Sequence, residues 1–564
     1  MTPSARTGHT TREHRLGRLA EEAFDILVIG GGVSGVAVAR DAARRGFRTA
    51  LIEAADFARG TSSRSSRLVH GGLRYLEHFE FDLVFEASQE RRTLLEIAPH
   101  LVRPLEFFFP IFEDGRVGRL KLEAGLWLYD ALSLFRNIER HQMLGADELA
   151  SAEPGLRQDG LLGGARYFDA QVDDARLVIT TAIAAEEAGA AVANRVEATD
   201  IDATDWPGHR VRACDQETGN EFDIDALAVV NATGPWGERT LRRAGVERGV
   251  RLIPSRGTHI HVPRDRVGHD HALIFEAPSD GRVMFVLPWR SDLTLIGTTD
   301  DFHEGPPESV AATREDVDYL LSSTNHLFPG AHLTKDDVLS AWAGLRPLVA
   351  PEVGEDGTGG GEGEVSREFE IHEEPEGFFS LLGGKLTSHR AMAEDTVDRV
   401  ASFLRSANVE AVAKCDTDTV PLPGGAFEDL DALRERVSAR ATELAVGEAG
   451  AARLTRAYGT RAEDVLALVA DRPQLAAPIL EDRPHILAEA VHAVRAEYAG
   501  SVEDVLYRRT RVALETRDGV EEASRRTARV LADELGWSDA RVRDEISRAV
   551  EARALDDESL KEDG

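Results

Sequence analysis

Residues Ile26-Leu27-Val28-Ile29 form a short apolar run that breaks into Gly30-Gly31-Gly32-Val33-Ser34-Gly35. The segment Val36 to Arg45 that follows has helical patterning, and a second apolar run, Thr49-Ala50-Leu51-Ile52, ends in Glu53. Strand, glycine turn, helix, strand and acid is the order a dinucleotide-binding βαβ unit requires, and few other folds tolerate it. Gly30 allows the tight turn, Gly32 lets a pyrophosphate approach the backbone, and Gly35 brings the helix close to the sheet. The helix N-terminus presents free N–H groups and partial positive charge to phosphate. Glu53 is placed to accept hydrogen bonds from a ribose 2′-hydroxyl.

At 564 residues the chain has room for two or three domains, and 42% hydrophobic content supplies a large core. No apolar run reaches the ~20 residues of a membrane span. The first twenty residues are polar and basic, without the apolar centre of a signal peptide, so residues 1–22 are expected to be a disordered extension. Cys214 and Cys415 lie far apart and have no metal-like spacing. A disulfide framework and a metal site are therefore not expected, and a reducing cytoplasmic compartment is. The net charge is −33, with lysine scarce beside arginine. This fits a salt-adapted acidic surface, with an arginine-biased composition as the alternative. Either way the overall field repels nucleic acid, and an anionic substrate would need a local arginine cluster.

The polar loop Gly60-Thr61-Ser62-Ser63-Arg64-Ser65-Ser66-Arg67 runs into Leu68-Val69-His70-Gly71-Gly72-Leu73-Arg74-Tyr75. A helix is expected over 82–98, broken by Pro99 and Pro104, with a strand at Phe107–Phe109. Residues 116–140 pair an apolar helical face with flanking Arg and Lys, which suits either internal packing or contact with a membrane surface. A helix over Val172–Ala188, a strand over Ala191–Val196, a hairpin over 208–230 and strands over 250–300 follow. Ala228 to Gly234 is an apolar strand ending in Ala-Thr-Gly, another close backbone approach to a nucleotide. Residues 354–364 are a Gly/Glu-rich flexible loop, and Pro421–Gly425 marks a linker before a helical module rich in Ala, Glu and Arg.

Together GGGVSG (30–35), GTSSRSSRLVHGGLRYLE (60–77), VDDARLV (172–178), NATGPW (231–236), IGTTD (296–300), GLRPL (344–348), GGKLTSHR (383–390) and VEDVLYRRT (502–510) resemble the FAD-dependent, quinone-linked (aerobic-type) glycerol-3-phosphate dehydrogenases over roughly residues 24–540. The resemblance implies an α/β fold. A Rossmann-like FAD-binding domain would be joined to a mixed antiparallel-sheet substrate domain, as in D-amino-acid oxidase, and to a C-terminal α-helical domain. The corresponding division is an oxidoreductase region at 23–410, a linker at 411–427, a helical cap at 428–550 and an acidic tail at 551–564. Within the region, FAD-binding parts fall at about 23–100, 150–250 and 340–405, and substrate-binding parts at about 100–150 and 250–340.

The implied cofactor is FAD, held by Gly30, Gly32, Gly35, Glu53, Thr61, Ser62, Ser66, Val196, Gly234, Gly384, Leu386 and Thr387. The GGKLT element reads as strand, glycine turn and helix N-terminus, which would aim Lys385 and the N–H groups of Leu386 and Thr387 at the flavin edge that gains negative charge on reduction. Arg74, Arg346, Arg367 and Lys385 are the candidates for the substrate phosphate, because a guanidinium fork suits its oxygens. His70 is the candidate base, with Arg74 and Lys385 beside it as catalytic residues, and His259 is a weaker alternative.

The implied reaction oxidises sn-glycerol 3-phosphate to dihydroxyacetone phosphate and passes electrons to a membrane quinone, at the inner face of the cell membrane. An oxidase using oxygen, or an amine or amino-acid oxidase of the same superfamily, is the alternative. A tRNA-binding flavoprotein would need a basic face, and a non-catalytic scaffold would not need the His, Arg and Lys set. The C-terminal helices suit a homodimer surface, a cap or a partner platform equally.

Overall fold

The computed structural model describes residues 11–202, 208–246, 251–350 and 368–561. The expected βαβ unit is present. Strand Phe24–Ile29 leads through the glycine turn into helix Val33–Arg44 and then strand Thr49–Glu53. The two strands pair in parallel, Ile26 with Thr49 and Ile29 with Ile52. Their residues are buried on both faces, as a parallel sheet covered by helices requires. Strand Ala191–Asn194 extends the sheet on one side. Strands Glu221–Asn231 and Phe378–Gly383 extend it on the other. Helices Val33–Arg44, Asp174–Glu187 and His389–Ser406 cover one face and share a core with Val28, Leu51 and Val230.

A second sheet of ten strands, mostly antiparallel, carries the rest of the oxidoreductase region. Its longest ladders join Arg103–Phe112 to Leu161–Gln171, and Leu252–Pro263 to Ser340–Val349. Two of these strands, Leu161–Gln171 and Ser340–Val349, fall in stretches expected to belong to the FAD-binding parts. The chain crosses between the sheets more often than its motifs indicate, because an apolar strand reads the same in either sheet.

Three segments differ from expectation. Residues 12–21, read as part of a disordered extension, form a helix capped by the Thr11 hydroxyl. Arg12 donates to Asp215 at 2.6 Å, Arg15 pairs with Glu186 at 2.7 Å, and Leu19 is buried beside Phe24 and Leu27. Basic character that looked like a solvated tail is a set of ion-pair partners. The linker is packed down as well: Leu422 is buried against Leu94 and Ile97, and Arg44 pairs with Asp416 at 2.5 Å. At the other end, helix Asp539–Asp556 runs through the expected tail into a short turn at Asp557–Leu560, and Leu560 joins a core cluster with Val317 and Leu320. The Gly/Glu loop at 354–364 lies outside the described residues.

The C-terminal helices are not a detached module. Asp56, just past the first βαβ unit, is buried and accepts from Arg508 Nε at 2.5 Å and from Arg509 Nη1 and Nη2 at 2.7 and 2.8 Å. Arg511 pairs with Asp173 and Asp174 and donates to the Ser63 carbonyl at 2.9 Å.

Candidate active site

The glycine turn is shaped as its sequence requires. Gly30 has φ +114°, and a Cβ there would lie 2.5 Å from the Ala232 carbonyl oxygen. A Cβ on Gly35 would overlap the Gly30 carbonyl. Gly32 caps helix Val33–Arg44 without a side chain, so nothing of its own fills the anion seat at that N-terminus. Ser62 Oγ accepts from Val33 N–H at 3.0 Å and leaves its own proton for an incoming oxygen. Glu53 holds the turn from below: its carboxylate accepts from Gly31 N–H at 2.6 Å and Ala55 N–H at 2.8 Å. Burial pushes this carboxyl up from its usual range, against those two donors.

These residues open onto one cavity of about 780 Å³, in the upper part of the range for cofactor clefts. Gly30, Gly32, Glu53, Thr61, Ser62, Ser66, Val196, Gly234, Gly384 and Leu386 line it, together with His70, Arg346 and Lys385. The side-chain-free turn, the open helix N-terminus and the length of the cavity between the two sheets fit a dinucleotide such as FAD. Two expected contacts do other work. Thr61 Oγ1 donates to the Leu345 carbonyl at 2.6 Å and ties the serine loop to the second sheet. Thr387 is buried and does not line the cavity; its hydroxyl accepts from His70 N–H at 3.2 Å. Helix His389–Ser406 starts later than the GGKLT reading assumed, so Leu386 and Thr387 stand in the turn before it.

His70 is held from two sides. Beyond Thr387, the next residue's N–H, that of Gly71, donates to Tyr129 Oη at 3.0 Å and Asp169 Oδ1 at 3.1 Å. Buried Arg91 bonds both of those groups. Burial lowers the His70 pKa from its usual value; Lys385 and Arg91 push the same way, against Asp169. The imidazole is therefore neutral at pH 7 and able to take a proton. Lys385 Nζ stands 4.0 Å from the centre of the Tyr75 ring, a cation–π contact that fixes the ammonium at the cavity wall.

Arg346 bonds Asp300 at 3.0 Å and Thr298 Oγ1 at 3.2 Å, packed over Gly257, where a Cβ would meet its Nη2 at 2.5 Å. Its guanidinium is therefore held in place before any ligand arrives. Arg367 lies outside the described residues, as does the side chain of Arg74. His259 is part of the second sheet, stacked on Trp342 and 2.9 Å from Ser66 Oγ. Burial and the charges of Arg346 and Arg67 push it down to about 3, so it is not a titrating group near neutrality.

Sequence reasoning missed Tyr75, Tyr129, Asp169 and the arginines that the C-terminal helices bring to the cofactor loop. Tyr75 was within reach, since it follows Arg74 in the quoted motif. The clustered Arg508-Arg509-Thr510-Arg511 was a second readable signal, a costly run of charge unless carboxylates meet it, which Asp56, Asp173 and Asp174 do.

Residues 25–399 match the FAD dependent oxidoreductase family (DAO), and residues 415–542 match the C-terminal domain of alpha-glycerophosphate oxidase. The chain belongs to the FAD-dependent glycerol-3-phosphate dehydrogenase and oxidase family. It is 37% identical to a glycerol-3-phosphate dehydrogenase of Synechocystis, over 92% of this chain and 94% of that one. It is 38% identical to glycerol-3-phosphate dehydrogenase 2 of Mycobacterium bovis, over 98% and 92%. Among solved structures, the glycerol-3-phosphate dehydrogenase of Bacillus halodurans complexed with FAD superposes with a TM-score of 0.80 at 30% identity, covering 98% of this chain and 99% of that one.

Proposed function

We propose that the protein oxidises sn-glycerol 3-phosphate to dihydroxyacetone phosphate and passes the electrons to a membrane quinone. The observation that carries the reading is the convergence of His70, Lys385 and Arg346 on the cavity that holds the dinucleotide cradle. Bound FAD supplies the two-electron acceptor for the hydride that leaves C2. His70, held neutral at the cavity wall, takes the proton of the C2 hydroxyl. Arg346 and Lys385 hold the phosphate dianion, with Arg74 and Arg367 as further cations of the same seat.

Quinone use needs a membrane contact, and one surface suits it. Helix Arg119–Leu132 exposes Leu120 (84%), Trp127 (51%) and Leu128 on its outer side, next to Leu134 and Phe135 and to Phe79 (77%), Phe81 and Phe85 of the neighbouring segment. Among the described residues no helix is long and apolar enough to cross a membrane. An apolar, aromatic face flanked by Arg119, Arg136 and Arg140 lies on a bilayer rather than through it. The inner face of the cell membrane is the surface that fits a chain of this kind.

The deciding experiment is an anaerobic flavin spectrum of the purified holoenzyme, followed by reoxidation. Bleaching near ~450 nm by sn-glycerol 3-phosphate, but not by glycine or sarcosine, fits the substrate class; failure to bleach rejects it. Reoxidation by a soluble quinone that outpaces oxygen, with little peroxide, fits the dehydrogenase. Stoichiometric peroxide makes it an oxidase. Leu120→Glu/Trp127→Glu should no longer sediment with lipid vesicles, and undiminished sedimentation would refute the surface assignment.

A further inference from the structure

Away from the cofactor cavity, arginines also gather around a small cleft. Arg103, Arg176, Arg290, Arg453 and Arg456 line a cleft of about 40 Å³ between the C-terminal helix Glu448–Tyr458 and the oxidoreductase region, and Asp173 is the one carboxylate among its described lining residues. Three of the arginines have a carboxylate of their own. Arg176 pairs with Glu497 at 2.7 Å, Arg290 with Glu515 at 3.0 Å and Asp173 at 3.3 Å, and Arg453 with Glu489 at 2.9 Å. Arg103 and Arg456 have none at ion-pair distance among the described residues. Arg103 donates to the neutral Gln171 Oε1 at 2.5 Å, and Arg456 stands exposed at the mouth.

Arginines outnumber the one carboxylate, Asp173, among the residues that line the cleft. Burial lowers Arg103 to about 10, and the charges that add to this are Arg456 and Arg290. Arg456 is lowered too, by partial desolvation of its guanidinium, with Arg290 and Arg434 adding to it. Deeper in, Arg453 is only 4% exposed, and its Nη1 has no hydrogen-bond partner while the other nitrogens are bound by Glu489 and the Arg509 carbonyl. A buried donor without an acceptor is costly, and so is an uncompensated guanidinium, so the cleft suits a compact anion with several acceptor oxygens.

We propose that this cleft is a second anion site, distinct from the substrate seat, which binds a phosphate-class oxyanion: free phosphate, or the phosphate of a monoester whose body leaves past Arg456. The space admits about three waters, or one tetrahedral oxyanion in their place. Guanidiniums from both domains then share one ligand, as bidentate recognition of phosphate favours. Bound there, the anion bridges the C-terminal helices to the oxidoreductase region and neutralises Arg103 and Arg456.

The test uses full-length holoenzyme and inorganic phosphate, with chloride at equal ionic strength as the control. The thermal midpoint of the wild type should rise with phosphate, and that of Arg346→Gln, altered at the substrate seat, should rise with it. Arg103→Gln/Arg456→Gln should lose the part of the rise that Arg346→Gln keeps, and in chloride its midpoint should equal or exceed that of the wild type, because like charges have been removed. An undiminished phosphate response in the double variant overturns the proposal, as does a lower midpoint in chloride, which would make the two arginines structural. A response to phosphate but not to β-glycerophosphate assigns the free ion, and a response to both assigns the phosphate group. Wild-type crystals soaked in millimolar selenate supply a reading independent of any variant. An anomalous peak between Arg103, Arg453 and Arg456 supports the site. A peak only at molar selenate, an adventitious ion only, or no peak, refutes it.

Discussion

Replacing Asp56 by alanine tests how the C-terminal helices are attached to the cofactor domain. The carboxylate is 2% exposed and accepts from Arg508, Arg509 and, at 3.0 Å, Asn194 Nδ2. Burial opposes its charge, but Arg509 and Arg508 outweigh burial and hold the carboxyl well below its usual range. Its loss is not felt equally by the two arginines. Arg508 keeps Asp504 at 2.6 Å and Glu503 at 3.1 Å. Arg509 is fully buried and keeps only bonds to the Glu497 carbonyl. Removing one member of a buried pair costs about 3–5 kcal/mol, because the charge left behind is uncompensated. Asp56→Ala should lose that much stability in urea denaturation of the holoenzyme, followed by flavin fluorescence. Asp56→Ala/Arg509→Met should recover most of it. The native pair also adds a pH dependence. A carboxyl whose folded pKa is depressed contributes stability above its unfolded pKa of about 3.9, and that stability is lost as the pH falls toward the folded value. The wild type should therefore lose its advantage over the double variant below about pH 4. A loss under about 1 kcal/mol for Asp56→Ala, or no recovery in the double variant, would refute the argument that this pair anchors the domain.

His70→Gln should lower kcat by about 10²–10⁴-fold with a much smaller change in KM, the range for loss of a general base. Because the His70 pKa is lowered, wild-type kcat/KM should rise with pH along an acidic limb whose midpoint lies below the usual histidine value of about 6.5, and that limb should vanish in the variant. Gly35→Ala should yield protein without FAD, read as a missing flavin spectrum, since its Cβ would overlap the Gly30 carbonyl. Arg346→Lys should raise KM about tenfold or more while leaving the flavin spectrum unchanged, because one ammonium cannot replace a fork held by Asp300 and Thr298 at once.

The cofactor cradle was legible in the sequence because backbone geometry dictates it. Only glycine fits at Gly30 and Gly35, and the Glu53 carboxylate at the end of the second strand reaches back to the Gly31 N–H. Local rules of that kind leave a local mark. The second sheet left a weaker one. Its strands at 161–171 and 340–349 are apolar runs with no feature that says which sheet they enter. The support of His70 was the least legible of all. Gly71 N–H meets Tyr129 and Asp169, 58 and 98 residues away along the chain, and neither belongs to a recognisable pattern.

Charge told more than its total indicated. A net of −33 suggests a uniformly acidic surface, yet the interior holds arginines in number: Arg67, Arg509 and Arg511 are among the largest fully buried side chains. Burying a guanidinium is expensive unless it meets a carboxylate, and for Arg509 and Arg511 the carboxylates come from the other domain, whereas Arg67 lies over the Trp289 ring beside His261. Asp173 and Asp174 open the helix behind the serine loop, and Arg511 takes both while donating to Ser63 within that loop. Asp174 in turn accepts from the Ser65 hydroxyl at 2.7 Å. The helical domain thus fixes the loop on which Ser62 faces the cavity, although it supplies no recognisable chemical motif of its own. Its conformation and the cofactor's hold on the loop are one equilibrium, so whatever loosens Arg511 should loosen FAD before it unfolds either domain.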